Sequence, residues 1–246
     1  MKFKKIKNFG MILAPTYRSK AYLQGIIHCK LIPQVVYLID ANSEKRKISK
    51  PKKYKFYKNK NYFKFLPNKT LVKSLDELKI KYHYLKDKDI NSISNIKTLS
   101  GSHIKYFLYS GLPKIILKDQ ILSIGKFFLH IHGGYLPKYH GATAFYHGML
   151  EKKKIGQTGF WMSKFIDSGK ILKRKWYSYY GEDDIDNFAD PITRTDLLIE
   201  ILSEYFKKKK FKTYKFYEDA NCYYVIHPVL KKIAINNFKK MRLFNV

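Results

Sequence analysis

The first forty residues alternate between apolar, β-branched runs and a segment with helical spacing. Residues 8–14 and 35–39 are apolar runs typical of buried strands, and residues 19–31 between them carry apolar side chains at helical intervals. A strand, a helix and a second strand in this order predict a βαβ unit. Such a unit has parallel strands and a right-handed crossover, so the chain is expected to build a parallel sheet.

The same alternation continues along the chain. Residues 41–60 are rich in lysine and poor in aliphatic side chains, which predicts a loop or flexible insertion. The predicted elements that follow are a helix at 74–78, a strand at 82–85, a helix at 91–99, a strand at 104–110, a helix at 114–122 and a strand at 127–131. The predicted fold is therefore α/β, an open, mostly parallel Rossmann-like sheet with helices on both faces and a short C-terminal appendage.

Length and composition agree with one substantial core. The chain has 246 residues, of which 45% are hydrophobic. Its two cysteines, Cys29 and Cys222, lie far apart, so a disulfide framework is not expected and a cytoplasmic setting is predicted. The basic N-terminus is interrupted by Gly10 and Pro15, which favours a first strand over a signal peptide, and no stretch is long enough to span a membrane.

The strongly basic charge is ambiguous. The net charge is +30, from 49 Lys plus Arg against 19 Asp plus Glu, which is typical of proteins with nucleic-acid or acidic partners. Only five of these basic residues are arginine, the side chain that reads phosphates and bases best. An AT-biased genome would also produce a composition rich in Lys, Ile, Asn, Tyr and Phe. A nucleic-acid partner is therefore possible but not favoured.

Two strand ends carry residues that could bind a ligand or take part in catalysis. Residues 109–113 leave a strand through Gly and Pro, and residues 130–137 read His-Ile-His-Gly-Gly-Tyr-Leu-Pro. Ligands of open α/β sheets bind beyond the carboxyl ends of the strands. Because strand side chains alternate, His130 and His132 should face one pocket, where they could act as acid, base or metal ligand.

The segment that begins at His132 resembles the signature of the formyltransferase family. Residues 132–142 read His-Gly-Gly-Tyr-Leu-Pro-Lys-Tyr-His-Gly-Ala, and Gly156 and Thr158 follow before Asp167-Ser168-Gly169. The family includes glycinamide ribonucleotide transformylase, methionyl-tRNA formyltransferase and sugar N-formyltransferases. Its pattern is Asn-x-His, a Leu-Pro turn and a later Asp-x-Gly. The resemblance covers roughly residues 110–172 and rests on the order and spacing of these motifs.

The resemblance implies catalytic roles for three residues. His132 matches the catalytic histidine, Asp167 matches the catalytic aspartate, and His130 stands where the family has asparagine. In this family an amine attacks the formyl carbon of 10-formyltetrahydrofolate and an oxyanion forms. The implied roles are a protonated His132 that stabilises the oxyanion, Asp167 that helps to remove the amine proton through water, and His130 as a substitute N–H donor. The carboxylate should raise the pKa of His132.

The resemblance also implies where ligands bind. Two segments correspond to the cofactor-binding regions of the family, and the turn after His132 is a candidate for contact with the acceptor. The cofactor candidates are Ser110, Gly111, Leu112, Pro113, Lys164, Phe165 and Ile166, and the acceptor candidates are Tyr135, Lys138 and His140.

The C-terminal portion bears on the acceptor. Residues 1–175 are predicted to form the catalytic domain, and residues 176–246 an appendage of helices at 192–208 and 229–240 with a short strand between them. Relatives that act on initiator tRNA carry an additional β-barrel domain, which too few strands are available to form here. The expected acceptor is a small amine, in particular a nucleotide-linked amino sugar. The oligomeric state is left open.

Two other classes of function remain open from the residues. A metal-dependent hydrolase could bind zinc or iron through His130, His132 and Asp167, with His140 as a further ligand. A non-catalytic basic RNA-binding protein on the same scaffold is the other alternative. No metal site is predicted in the preferred interpretation. The sequence contains neither a G-x-S-x-G elbow, nor G-x-G-x-x-G, nor a P-loop.

Overall fold

The computed structural model describes residues 3–40, 52–55, 62–178, 184–216 and 220–240. The chain divides into two compact units, Met1–His130 and Ile131–Val246. Strand β9, the last strand of the first unit, continues into the second. In the described ranges, every helix is too short or too polar to span a bilayer.

The first unit alternates strands with helices. Its strands are β1 (Lys4–Lys5), β2 (Phe9–Leu13), β3 (Leu31–Ile32), β4 (Val35–Leu38), β5 (Lys52–Lys55), β6 (Tyr62–Phe65), β7 (Tyr82–Tyr84), β8 (Tyr106–Ser110) and β9 (Phe127–His132). Its helices are α1 (Tyr17–His28), α2 (Leu71–Asp76), α3 (Ile93–Ser100) and α4 (Asp119–Leu122).

Five of these strands lie side by side in the order β9-β8-β2-β4-β7, and every neighbouring pair is parallel. All five residues of β2 are buried, as expected for a central strand covered on both faces. The N-cap Thr16 begins α1 by accepting a hydrogen bond from the Ser19 amide at 3.1 Å. The predicted α/β fold with a mostly parallel sheet and a βαβ opening is confirmed.

Two predicted elements of the first unit differ from the structure. The helix predicted at 114–122 is reduced to α4, because Lys114 has a left-handed φ of +69° and Lys118 has extended backbone with φ −91° and ψ 167°, so that the helix begins only at Asp119. The loop predicted at 41–60 contains strand β5, which pairs antiparallel with β6. Residues 41–51 and 56–60 lie outside the described residues.

The second unit combines short strands with longer helices. Its strands are β10 (Tyr139–Gly141), β11 (Ile155–Trp161), β12 (Ile171–Tyr177) and β13 (Asn221–Tyr223). Its helices are α5 (Ala144–Lys152), α6 (Asp190–Lys208), which a π-helical turn (Ile185–Ala189) precedes, and α7 (Pro228–Lys240). Strands β11 and β12 form an antiparallel pair.

The C-terminal part of the second unit contains the predicted helices, as α6 and α7, and the predicted short strand, as β13. The predicted domain boundary between residues 175 and 176 falls inside β12, and the chain instead separates after His130. The division into a catalytic domain and an appendage stays a prediction. Strand β13 pairs parallel with β10, which follows the Leu-Pro turn closely in sequence.

A buried apolar cluster joins the helices of this unit. Helix α5 and helix α7 pack against each other through side chains that include Tyr146, Met149, Ala234 and Phe238. The other buried members outside these helices come from β11, from the π-helical turn and from Ile226, just before α7. This core fixes α5, and therefore the turn and strand β10 that precede it in the chain.

Candidate active site

His132 ends strand β9 with its imidazole enclosed by the second unit. Its Nδ1 lies 3.3 Å from the Asp167 Oδ1, and its Nε2 lies 3.1 Å from the carbonyl oxygen of Tyr139. Only 7% of the residue is exposed. The structure therefore brings together the two residues that the sequence predicts as a catalytic pair, although 35 positions separate them (167 minus 132).

Asp167 is held in a backbone conformation that few residues adopt. Its φ is +53°, in the left-handed region that aspartate tolerates better than most residues. Its Oδ2 accepts a hydrogen bond from the Gly141 amide at 2.9 Å, while its Oδ1 faces His132. The carboxylate is thus fixed from two sides, and a carboxylate at this place can orient the imidazole.

The Gly141 amide depends on strand β13. Gly141 has a φ of +96°, and a Cβ at this position would collide with the carbonyl oxygen of Tyr223 on β13. The Ala142 amide donates to the same carbonyl oxygen at 2.9 Å. A strand of the C-terminal part therefore supports the backbone that carries the hydrogen-bond donor to Asp167.

Burial lowers the pKa of His132 below its ordinary value. The Asp167 carboxylate and the Tyr139 carbonyl oppose this effect, and the positive charge of Arg194 adds to it. The Asp167 carboxylate raises the pKa as expected, but the loss of solvation around the enclosed ring outweighs it, so the net shift is downward. At neutral pH the resting imidazole is neutral.

The two glycines after His132 allow close packing. A Cβ at Gly134 would meet the His132 ring and the Tyr139 carbonyl oxygen. The Thr158 hydroxyl donates to the Gly134 carbonyl at 2.7 Å and accepts from the Leu136 amide at 3.0 Å. Thr158, a residue of the family-like motif, thereby fixes the turn at residues 134–137. This turn includes a cis peptide bond between Leu136 and Pro137.

Helix α6 contributes a buried ion pair to this region. The Arg194 Nε lies 2.8 Å from the Asp190 carboxylate, and its Nη1 donates to the carbonyl oxygen of Ile131, next to His132. Arg194 and Asp190 are 7% and 8% exposed. Sequence reasoning missed both residues. Their i, i+4 spacing was the available signal, but this spacing is equally typical of exposed helical pairs.

His130 is the last residue of the first unit and is only partly buried. Its Nδ1 lies 3.2 Å from the carbonyl oxygen of Tyr109. The prediction that it shares a pocket with His132, and its role as a donor, stay predictions.

The first group of cofactor candidates lies at the end of β8 in the first unit. The hydroxyl of Ser110 lies 2.8 Å from that of Ser19 and accepts from the Arg18 Nε at 3.2 Å. Gly111 is buried and its carbonyl accepts from the Arg18 Nη2 at 3.4 Å, whereas Leu112 is partly buried and Pro113 is exposed. These contacts order the strand end and leave its last residues accessible to solvent.

The second group of cofactor candidates lies directly before Asp167. Phe165 and Ile166 are 69% and 60% exposed, which is unusual for large apolar side chains. The ammonium of Lys164 lies 5.8 Å from the centre of the Phe165 ring. An apolar ligand placed here would cover surface that is exposed to water.

The acceptor candidates have protein partners in this structure. Tyr135 stacks on Trp176 with ring centroids 4.6 Å apart, and Lys138 forms an ion pair with Glu151 at 2.6 Å. His140 lies partly buried on β10. Their predicted contacts with the acceptor stay predictions.

Both ring nitrogens of His132 face oxygen atoms of the chain, Nδ1 the Asp167 carboxylate and Nε2 the Tyr139 carbonyl. Among the residues that the structure describes, no group of three or more His, Cys, Asp or Glu is arranged to hold a metal.

Comparison with known proteins gives sequence and fold relatives. No family model matches the chain. The methionyl-tRNA formyltransferase of Elusimicrobium minutum is 32% identical over 95 residues, which cover 37% of this chain and 28% of that protein. The matched part is thus less than a third of the relative's length.

Solved structures resemble the fold over most of the chain. A sugar N-formyltransferase from Shewanella sp. FDAARGOS_354 has a TM-score of 0.55 at 16% identity and covers 94% of this chain and 87% of its own. A phosphoribosylglycinamide formyltransferase from Streptococcus pneumoniae has a TM-score of 0.55 at 17% identity, with coverages of 84% and 99%. The fold is that of the formyltransferases. Two sequence matches, which each span less than half of this chain, are also to formyltransferases.

Proposed function

We propose that this protein transfers a formyl group from 10-formyltetrahydrofolate to the amine of a small acceptor, and that the acceptor is a nucleotide-linked amino sugar. The observation that carries the proposal is the buried contact between His132 and Asp167, with Asp167 also held by the Gly141 amide. The composition argument favours the cytoplasm as the place of action.

The folate supplies a formyl carbon whose oxygen becomes negatively charged when an amine attacks it. His132 can receive a proton because its resting ring is neutral. A neutral ring carries one N–H, which either the Asp167 carboxylate at Nδ1 or the Tyr139 carbonyl at Nε2 can accept. We assign it to Nδ1 in the reactive state, because the carboxylate is the stronger acceptor, and Nε2 then carries the lone pair. Nε2 is therefore the basic atom of the pair.

His132 then first receives a proton from the amine and later gives a proton to the folate nitrogen. Nε2 takes the proton that the amine loses as its bond to the formyl carbon forms. The resulting imidazolium is stabilised by Asp167 and donates a hydrogen bond to the charged formyl oxygen. His132 returns the proton to the folate nitrogen as the bond from that nitrogen to the formyl carbon breaks. The products are the N-formyl acceptor and tetrahydrofolate.

The exposed side chains beside Asp167 fit a folate. Phe165 and Ile166 offer apolar contact to a flat heterocycle, and Lys164 offers a cation to its carboxylates. We also propose that the folate is bound by residues at the end of β8, namely Ser110, Gly111, Leu112 and Pro113. The fold is shared with a sugar N-formyltransferase and equally with a phosphoribosylglycinamide formyltransferase, so the product assay below decides the acceptor.

A binding and product assay tests the function. We expect saturable binding of 5-formyltetrahydrofolate, a stable donor analogue, in titration calorimetry. With 10-formyltetrahydrofolate, mass spectrometry should detect N-formylated product from one or more nucleotide-linked amino sugars. Product from glycinamide ribonucleotide or methionyl-tRNA alone would overturn the acceptor and keep the class. Folded protein that neither binds the analogue nor formylates any of these amines would overturn the class.

Substitution of His130 tests the departure from the family pattern. We expect His130→Asn to retain activity within about tenfold, because an amide also provides the N–H donor that this place requires. His130→Ala, the matched control without a donor, should lose about 10²-fold or more. A dead asparagine variant with normal folding would show instead that the imidazole has a role that an amide cannot fill.

A further inference from the structure

Arg194 occupies an enclosed place behind the His132 backbone. Its guanidinium contacts both oxygens of the Asp190 carboxylate through Nε at 2.8 Å, and its Nη1 donates to the carbonyl oxygen of Ile131. Buried charges persist when they are paired and their hydrogen bonds are satisfied. This ion pair therefore links helix α6 to the last peptide before His132.

The neighbouring residues leave space for the Arg194 guanidinium and hold its carboxylate partner in place. A Cβ at Gly133 would collide with the Arg194 Nη2, so that only glycine leaves room for the side chain. The Gln157 Nε2 donates to Asp190 at 3.0 Å and to the Thr193 hydroxyl at 2.9 Å, which fixes the carboxylate from strand β11. The backbone on both sides of His132 is thus fitted to Arg194.

We propose that Arg194 is a positioning residue for His132: it holds the Ile131 carbonyl and packs against Gly133, and so fixes the direction in which the imidazole leaves strand β9. The catalytic meaning of this role rests on the proposed formyl transfer. The structural role of Arg194 is independent of that function, because it concerns only the position of the His132 ring and its partners in the protein without substrate.

Four groups determine the charge around the imidazole. Asp167 faces it from the loop after β11, the Tyr139 carbonyl from β10, and Arg194 and Asp190 from α6. Arg194 disfavours the imidazolium, whereas the other three groups favour it, and the effect of Arg194 is larger than that of Asp190. Arg194 therefore helps to keep a ring that contacts a carboxylate neutral at rest.

Titration of His132 by NMR of the ring carbons tests the electrostatic part without any activity assay. We expect the His132 pKa to increase in the order Asp190→Asn, wild type, the double variant Arg194→Met/Asp190→Asn, and Arg194→Met. The double variant leaves no unpaired buried charge, so the order remains testable if Arg194→Met fails to fold. An unchanged pKa in the double variant and in Asp190→Asn would overturn this part.

Activity profiles test the positioning part. In Arg194→Met and in the double variant, kcat should fall about 10²-fold with little change in KM, because a displaced imidazole costs transition-state stabilisation rather than binding. The acid limb of the pH profile should move to higher pH in Arg194→Met, and Arg194→Lys should restore part of kcat. Wild-type kcat in the folded double variant would overturn the positioning role.

Lys175→Met provides the matched control. Lys175 also pairs with α6: its ammonium lies 2.9 Å from the Asp196 carboxylate and 2.5 Å from the Glu200 carboxylate. Its loss should lower stability and leave the His132 pKa in place. If formyl transfer itself is absent from the wild type, the NMR order still decides the inference about Arg194.

Discussion

Asp167→Asn should reduce formyl transfer by about 10²- to 10⁴-fold, the range typical for loss of a positioned acid–base group. The carboxylate accepts from the Gly141 amide through one oxygen and faces the His132 Nδ1 with the other. An asparagine has one acceptor oxygen, so its NH₂ group must confront one of these two donors. The amide also removes the negative charge that stabilises the imidazolium.

The measurement is kcat/KM for the N-formyl product, with 5-formyltetrahydrofolate binding as a test of folding. Asp186→Asn is the matched control, because Asp186 lies in the same unit, bonds to Tyr146 and Lys231, and is 48% exposed. We expect the control to retain wild-type kcat/KM. A folded Asp167→Asn protein with activity close to the control would contradict the catalytic assignment.

His132→Ala should cause a loss of similar size, about 10²- to 10⁴-fold, because it removes the group that receives the proton and stabilises the formyl oxygen. The loss should fall on kcat, while binding of the donor analogue changes little. Because the pair acts as a unit, the double variant His132→Ala/Asp167→Asn should be little worse than either single variant.

His227→Ala is the matched control for the loss of an imidazole. His227 accepts from the Val229 amide in an exposed turn and should be replaceable without effect on kcat. Multiplicative losses in the double variant would show that His132 and Asp167 act independently, which the proposed proton transfer does not allow.

The sequence predicted the five parallel strands of the first unit and the residues of the His132–Asp167 pair for clear reasons. Strands β2, β4 and β8 are apolar runs between turn residues, and such runs are recognisable without tertiary information. His132 and Asp167 were linked only by the family motif, because they are distant in sequence. The structure supplies the contact between their side chains.

The features that were missed depend on tertiary contacts. Arg194 and Asp190 have the spacing of an ordinary surface pair, and nothing local indicates that they are buried. Strand β13 was predicted but its partner β10 was not, because β10 has only three residues and precedes β13 by about eighty positions (221 minus 139 is 82). The direction of the His132 pKa depends on burial, which the sequence does not give.

The pairing of β13 with β10 has a consequence for the order in which the site is completed. During synthesis, His132, Gly141 and Asp167 leave the ribosome before Tyr223, whose carbonyl supports the turn at Gly141. A nascent chain that already contains both members of the pair still lacks this support. The geometry that holds Asp167 is therefore reached only after strand β13 has paired with β10. The protein can become active only once this C-terminal part of the chain has been made and has folded.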